Sequence, residues 1–255
     1  MKLLANGCRV MAPDDGEWMT EGTRRYRLPI SRRSGAIEIA QTISLYQSGI
    51  APARRNAHSE EVLYVNSGAG VCHIDGHAEL VRTGHAVYLP PGALYQFENP
   101  HAEPLGVISV CCPEETSVEI LPGKAPSSAS ASAPARVIHE SERAAQMAGD
   151  RSFSLLMHRD LGCQRVTQFL GVIPPGRAPH HYHTYEEAIF ILQGCGLFHA
   201  DNESCEFTPG TSIYLAPGQR HSLENPGPEI VRLLGVFYPS GSPAVNYKDQ
   251  GTPAS

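Results

Sequence analysis

The sequence predicts an all-β chain made of two tandem copies of one barrel, and three observations carry that prediction. Strand-sized apolar runs recur along the chain, each closed by Gly or Pro. The 24 glycines and 21 prolines among 255 residues suit many short strands joined by tight turns. A Ser/Ala/Pro stretch, Pro122 to Ala135, has nothing to bury and reads as a linker. On either side of it, residues repeat at an offset of 126: Glu61 with Glu187, Gly68 with Gly194, Gly70 with Gly196, His73 with His199 and Asp75 with Asp201. The register continues without a gap through Gly84 and Gly210, Gly92 and Gly218, Asn99 and Asn225, to Pro113 and Pro239. The expected division is an N-terminal barrel with its arm over 1–121, the linker over 122–136 and a C-terminal barrel over 137–255.

Residues 1–35 carry many charges and few periodic apolar positions, and read as an arm with short strands. Alternation over Ile37, Ile39, Ile43 and Leu45 gives the first long strand, closed by Gly49 and Pro52. Glu61 to Val65, Gly70 to Ile74, His85 to Leu89 and Gly106 to Val110 complete the first unit. After the linker, one short helix is expected around Glu140 to Met147. Strands then resume until Tyr238, and a Pro/Gly/Ser-rich tail follows.

Bulk composition narrows the function. A 41% hydrophobic content supports real cores. A net charge of −6 without a basic cluster argues against nucleic acid and against an anionic membrane as partners. The first nine residues are too short and polar for a secretory segment, and no apolar run approaches a membrane span. Seven cysteines without framework spacing fit reduced thiols, so a cytoplasmic location is expected.

The chemistry concentrates in one stretch of the second copy, Pro179 to Glu187, and at His221. His181 and His183 lie two residues apart, so an extended strand points both imidazoles to one face. Glu187 follows four residues later, and His221 lies just beyond the strand-and-turn run Gly210 to Gly218. Three imidazoles and one carboxylate converging in a barrel suit a divalent first-row metal with positions left open for substrate.

The spacing His181-x-His183-x3-Glu187-x6-Gly194, followed by Gly210-x5-Ala216-x-Gly218-x2-His221-x3-Asn225, resembles the two motifs of the cupin superfamily. Two departures stand out: Ala216 occupies a motif proline position, and four rather than five residues separate Gly176 from His181. The resemblance implies two tandem double-stranded β-helix (jelly-roll) barrels, a bicupin, with His181, His183, Glu187 and His221 as metal ligands. It also implies one divalent metal per chain, and a homodimer as the expected assembly.

At the same offset the first copy has Arg55 against His181, Ala57 against His183 and Tyr95 against His221, with Glu61 alone surviving. A lone carboxylate holds a divalent metal poorly, so this barrel is expected to lack the site. Arg55, pointing into the cavity, is a candidate to hold an anionic ligand there. His199 recurs as His73 and reads as structural, while Gln168, on the strand leading into the motif, is a candidate second-layer donor to the site.

For the second barrel, Fe²⁺ suits oxygen insertion of the dioxygenase type, which is the expected reaction on a small organic substrate. Mn²⁺, Zn²⁺ or Ni²⁺ would suit Lewis-acid work of an isomerase, lyase or hydrolase. Bicupins similar to (S)-ureidoglycine aminohydrolase share the length and the single functional barrel, though their ligand run differs in order. Glu187 could also relay a proton. A non-catalytic small-molecule-binding module is the third reading.

Overall fold

A computed structural model of the chain describes residues 1–4, 7–115, 117–123 and 136–244. Most of the expected linker and the tail beyond 244 lie outside the described residues. The described residues form antiparallel strands and three single-turn 3-10 helices, with no α-helix among them. No helix there is long and apolar enough to cross a membrane.

Each barrel is a pair of sheets. In the first, the larger sheet runs Arg136–His139, His85–Leu89, Glu60–Ser67, Leu105–Cys112, Ala40–Tyr46, Arg24–Ile30, Met19–Glu21. Its partner sheet is built on His77–Arg82, Ala69–Ile74, Leu94–Asn99, Ala53–Arg55 and Glu119–Leu121. The second barrel repeats the plan with Ser212–Leu215, Glu186–Gln193, Val231–Tyr238, Thr167–Ile173, Arg151–Met157 and Gln146–Ala148. Facing them are Gly176–Arg177, His221–Asn225, Gly196–Ala200 and Glu203–Phe207. The repeat reaches the backbone: Asp75 and Asp201 turn their hairpins with φ of 48° and 51°, a left-handed conformation that Asp tolerates better than most residues.

The barrels exchange outer strands. Arg9–Met11, from the N-terminal arm, pairs with Ser212–Leu215 of the second barrel, while Arg136–His139, just past the linker, pairs with His85–Leu89 of the first. The exchange covers a sheet edge in each barrel that would otherwise present unpaired backbone groups. It also means that neither barrel is complete without chain from the far side of the linker.

Between the barrels lies a shared apolar core. Ile30, Ile39, Val62, Tyr64, Tyr88 and Ile108 from the first barrel meet Leu156, Met157, Val166, Phe190, Tyr214 and Leu234 from the second. Two buried carboxylates fasten it in a near-symmetric pair. Glu60 accepts the backbone N–H groups of Gln164 and Arg165 at 2.7 and 2.8 Å and the Tyr88 hydroxyl at 3.3 Å. Glu186 accepts the N–H groups of Ile37, Glu38 and Ile39 at 3.0, 2.7 and 3.1 Å and the Tyr214 hydroxyl at 2.8 Å. A buried carboxylate is tolerated where such donors replace its water. Because successive strand residues face opposite ways, Glu60 and Glu186 point to the interface and Glu61 and Glu187 point into their barrels.

The helix expected around Glu140 to Met147 is not formed. A 3-10 turn occupies Glu140–Glu142, and Gln146–Ala148 is a strand paired with Arg151–Met157. Eight residues are too few to nucleate a stable helix against a competing hairpin turn at Gly149-Asp150.

Candidate metal centre

The backbone places the histidines before the side chains do. His181 and His221 form a closed antiparallel bridge, each N–H donating to the other's carbonyl at 3.0 and 2.9 Å. The His183 carbonyl accepts the N–H of Gly218 at 2.7 Å, tying the His181–His183 run to the turn that precedes His221. The three ring centroids then stand 4.5 to 5.0 Å apart, and one ring nitrogen from each histidine lies within 4.8 Å of the others. Nδ1 of His181 meets the Pro179 carbonyl at 3.0 Å and Nδ1 of His221 meets the Gln219 carbonyl at 2.8 Å. With Nδ1–H donating to a carbonyl, Nε2 keeps its lone pair and can ligate.

Electrostatics favour neutral rings at His181 and His221. Burial pushes the His181 pKa down, and burial together with the facing His181 and His183 pushes that of His221 well below the usual value. His183 is braced by a stack, on Tyr185 at 4.5 Å, and Tyr185 in turn on Phe237 at 4.3 Å. Three imidazoles whose ring nitrogens converge are a donor set suited to a divalent first-row ion.

Glu187 occupies a different place. Its carboxylate is buried, 3.8 Å from Nε2 of His183, and lies outside the tight three-histidine group. Burial alone pushes its pKa up to about 8. Gly235 on the neighbouring strand makes room for it: a Cβ there would collide with the Phe169 ring and come within 3.0 Å of Glu187 Oε1. All four open onto one cavity of about 480 Å³, whose apolar wall includes Phe153, Phe169, Ile189, Leu223 and Leu233.

Other expectations resolve by register. His199 donates to or accepts from Glu224 at 2.7 Å, as His73 does with Glu98 at 2.9 Å, so both belong to equivalent structural pairs. Gln168 does not reach the site. Phe169 and Gly171 line the cavity, so alternation turns Gln168 to the opposite face beside Leu170, which packs in the inter-barrel core. There it is fully buried and neither amide atom has a hydrogen-bond partner.

In the first barrel, the positions equivalent to His181 and His183 are Arg54 and Asn56, not Arg55 and Ala57. Arg54 is the residue paired with Tyr95, and the Asn56 carbonyl accepts the Gly92 N–H at 2.8 Å, just as His183 does for Gly218. The first barrel has one extra residue between Asn56 and Glu60, so the offset is 127 before that point and 126 after it. The signal was in the glycines: Gly22 and Gly149, Gly35 and Gly162, and Gly49 and Gly176 are each 127 apart, and all six have positive φ. Arg55 instead pairs with Glu119 at 3.0 Å. The lumen is filled by its own contacts: Asn56 Nδ2 donates to Glu61 at 2.8 Å, Arg54 Nη1 to Glu21 at 2.6 Å, and Tyr46, Tyr95 and Phe97 pack the interior.

Comparison with known proteins agrees with this architecture. The cupin domain model matches twice, at residues 43–111 and 169–237, together more than half of the chain. An uncharacterised protein of Methanocaldococcus jannaschii is 37% identical over 70 residues, which cover 27% of this chain and 56% of that one. Among solved structures, the protein Ylba of E. coli superposes with a TM-score of 0.74 at 16% identity, over 93% of each chain. A putative glyoxylate-induced protein of Pseudomonas aeruginosa gives 0.72 at 16% identity over 91% of this chain and 88% of its own. Oxalate decarboxylase of Bacillus subtilis gives 0.69 at 16% identity, over 92% and 78%. The chain is a member of the cupin family, with two cupin barrels in tandem.

Proposed function

We propose that the second barrel is the mononuclear metal site of an enzyme acting on a small organic metabolite, with oxygen insertion of the dioxygenase type as the reaction and Fe²⁺ as the metal. The observation that carries this reading is the group of three imidazoles, one ring nitrogen of each converging, at the wall of an apolar cavity. His181, His183 and His221 would hold the ion, with Glu187 moving in as fourth ligand. A bound ion would supply Lewis acidity, and as Fe²⁺ also one-electron chemistry. The chain's own part is to hold the substrate in the cavity against Phe169, Leu223 and Leu233 and to exclude bulk water from its reacting end.

A second reading is favoured by the position of Glu187. Standing outside the histidine group with a pKa pushed up to about 8, it is placed to hold or release a proton, which suits an isomerase, lyase or aminohydrolase working with Mn²⁺, Zn²⁺ or Ni²⁺. Oxygen uptake by the iron-loaded protein on a panel of aromatic and diketone compounds separates the two. Uptake that requires both iron and His221 supports the first reading. Turnover without oxygen uptake supports the second, and binding without any turnover would leave a small-molecule-binding bicupin.

A further inference from the structure

Arg151 opens the strand Arg151–Met157 and lines the same cavity as the histidines. Its Nη2 donates to the Leu223 carbonyl at 2.8 Å, which fixes the guanidinium against the wall. Its Nε is buried and makes no hydrogen bond. The carboxylate near it is that of Asp150, at 3.7 Å from Nε, beyond hydrogen-bond reach and on a side chain 67% exposed. A fixed guanidinium with a buried free donor, in a cavity with apolar walls, is a recognition element for a planar anion.

The first barrel shows what this arginine looks like when nothing is asked of it. Its equivalent, 127 residues earlier, is Arg24, the first residue of the matching strand. Arg24 gives its Nε to Ser44 Oγ at 3.0 Å, lies over the Tyr26 ring at 4.2 Å and has Glu21 at 3.8 Å. In the second barrel, Gly171 stands in place of Ser44 and Ala148 in place of Glu21. Both residues line the cavity. The arginine is kept, but the hydroxyl that takes its Nε in the first barrel has no counterpart at Gly171, where Leu233 packs against the backbone, and Ala148 opens onto the cavity without a carboxylate.

We infer that Arg151 binds the carboxylate of the substrate, which makes the substrate class a small organic carboxylate with an apolar body. The body lies against Phe153, Phe169 and Leu233, and the end remote from the carboxylate faces the three histidines. This deepens the functional reading above and rests on it for the chemistry, though the carboxylate contact itself requires no metal.

The test is calorimetric titration of the purified full chain with benzoate, 3-phenylpropionate and phenylpyruvate, and with the corresponding neutral amides. Metal content is measured on the same preparations. At least one carboxylate is expected to bind, with affinity falling tenfold or more in Arg151→Gln and partly recovering in Arg151→Lys. Ala148→Glu, which restores the carboxylate that the first barrel carries as Glu21, should weaken binding as much while leaving Arg151 in place. Amide binding should be unchanged throughout. No binding by any of the three carboxylates, or equal binding to wild type and Arg151→Gln, overturns the inference. Arg151-dependent binding in a protein that holds no metal would sustain it while removing the metal reading; metal-loaded protein indifferent to Arg151 would do the reverse.

Discussion

The two barrels share a backbone and differ in what fills it. Where the second has His181, His183 and His221 around an open cavity, the first has Arg54, Asn56 and Tyr95 knitted to Glu21, Glu61 and a packed aromatic interior. Outside the lumen the resemblance returns. Glu60 and Glu186 fasten the interface with the same kind of contact, and the barrels trade outer strands in both directions. The two positions of each Glu-Glu pair thus separate two roles: the first holds the barrels together, and the second serves its own barrel's interior. Scaffold and site are separable, and among the described residues only the second lumen gathers a three-histidine donor group.

The largest test of this comparison is to rebuild the missing site. Arg54→His, Asn56→His and Tyr95→His together place three imidazoles beside Glu61 at the structurally equivalent positions. The triple variant should bind about one further metal per chain by elemental analysis. The triple Arg55→His, Ala57→His and Tyr95→His, which follows the uniform offset, should add none. If the second set gains the metal and the first does not, the register assigned to the first barrel is wrong.

Next in size is the interface. Glu186→Ala and Glu60→Ala each remove the acceptor of two or three part-buried or buried backbone N–H groups and a buried tyrosine hydroxyl. Each should cost about 3 kcal/mol, since one buried donor left without a partner costs roughly 1–3 kcal/mol. Chemical denaturation should show similar losses for the two. A loss confined to one would break the near-symmetry of the interface.

The smallest effect concerns Gln168. Its equivalent, Gln41, accepts a hydrogen bond from Ser212 Oγ at 2.5 Å, but Ala86 stands where Gln168 would find its serine. Gln168→Met removes an unpaired buried amide at similar volume and should stabilise the chain by about 1 kcal/mol. Gln41→Met, which orphans Ser212, should destabilise by a similar amount. Equal effects of the two would contradict the difference described between the two faces of the interface.

Much of this was legible beforehand. Gly and Pro punctuation and the 126 offset give two β barrels because turn chemistry is local and each turn must repeat with the fold. The grouping of His181 and His183 was legible because a period of two on a strand fixes which side chains share a face. The one-residue insertion before Glu60 was hidden, since Arg54 and Arg55 are both basic and the offset holds from Glu61 onward. Strand exchange left no mark, because Arg9–Met11 carries no feature that names its partner edge. Arg151 was missed for a related reason: its meaning lies in the loss of the Ser44 hydroxyl at Gly171, visible only once the barrels are superposed in the correct register.

The most direct measurement of the single-site comparison is metal stoichiometry in the purified chain, by elemental mass spectrometry without chelators and under anaerobic handling, for wild type and His221→Ala. The expected result is about one divalent metal per chain in wild type, with affinity lower by on the order of 100-fold or more in the variant, since losing even an outer-layer partner of a ligand costs roughly 10–100-fold. Two metals per wild-type chain, or a content unchanged by His221→Ala, would contradict it.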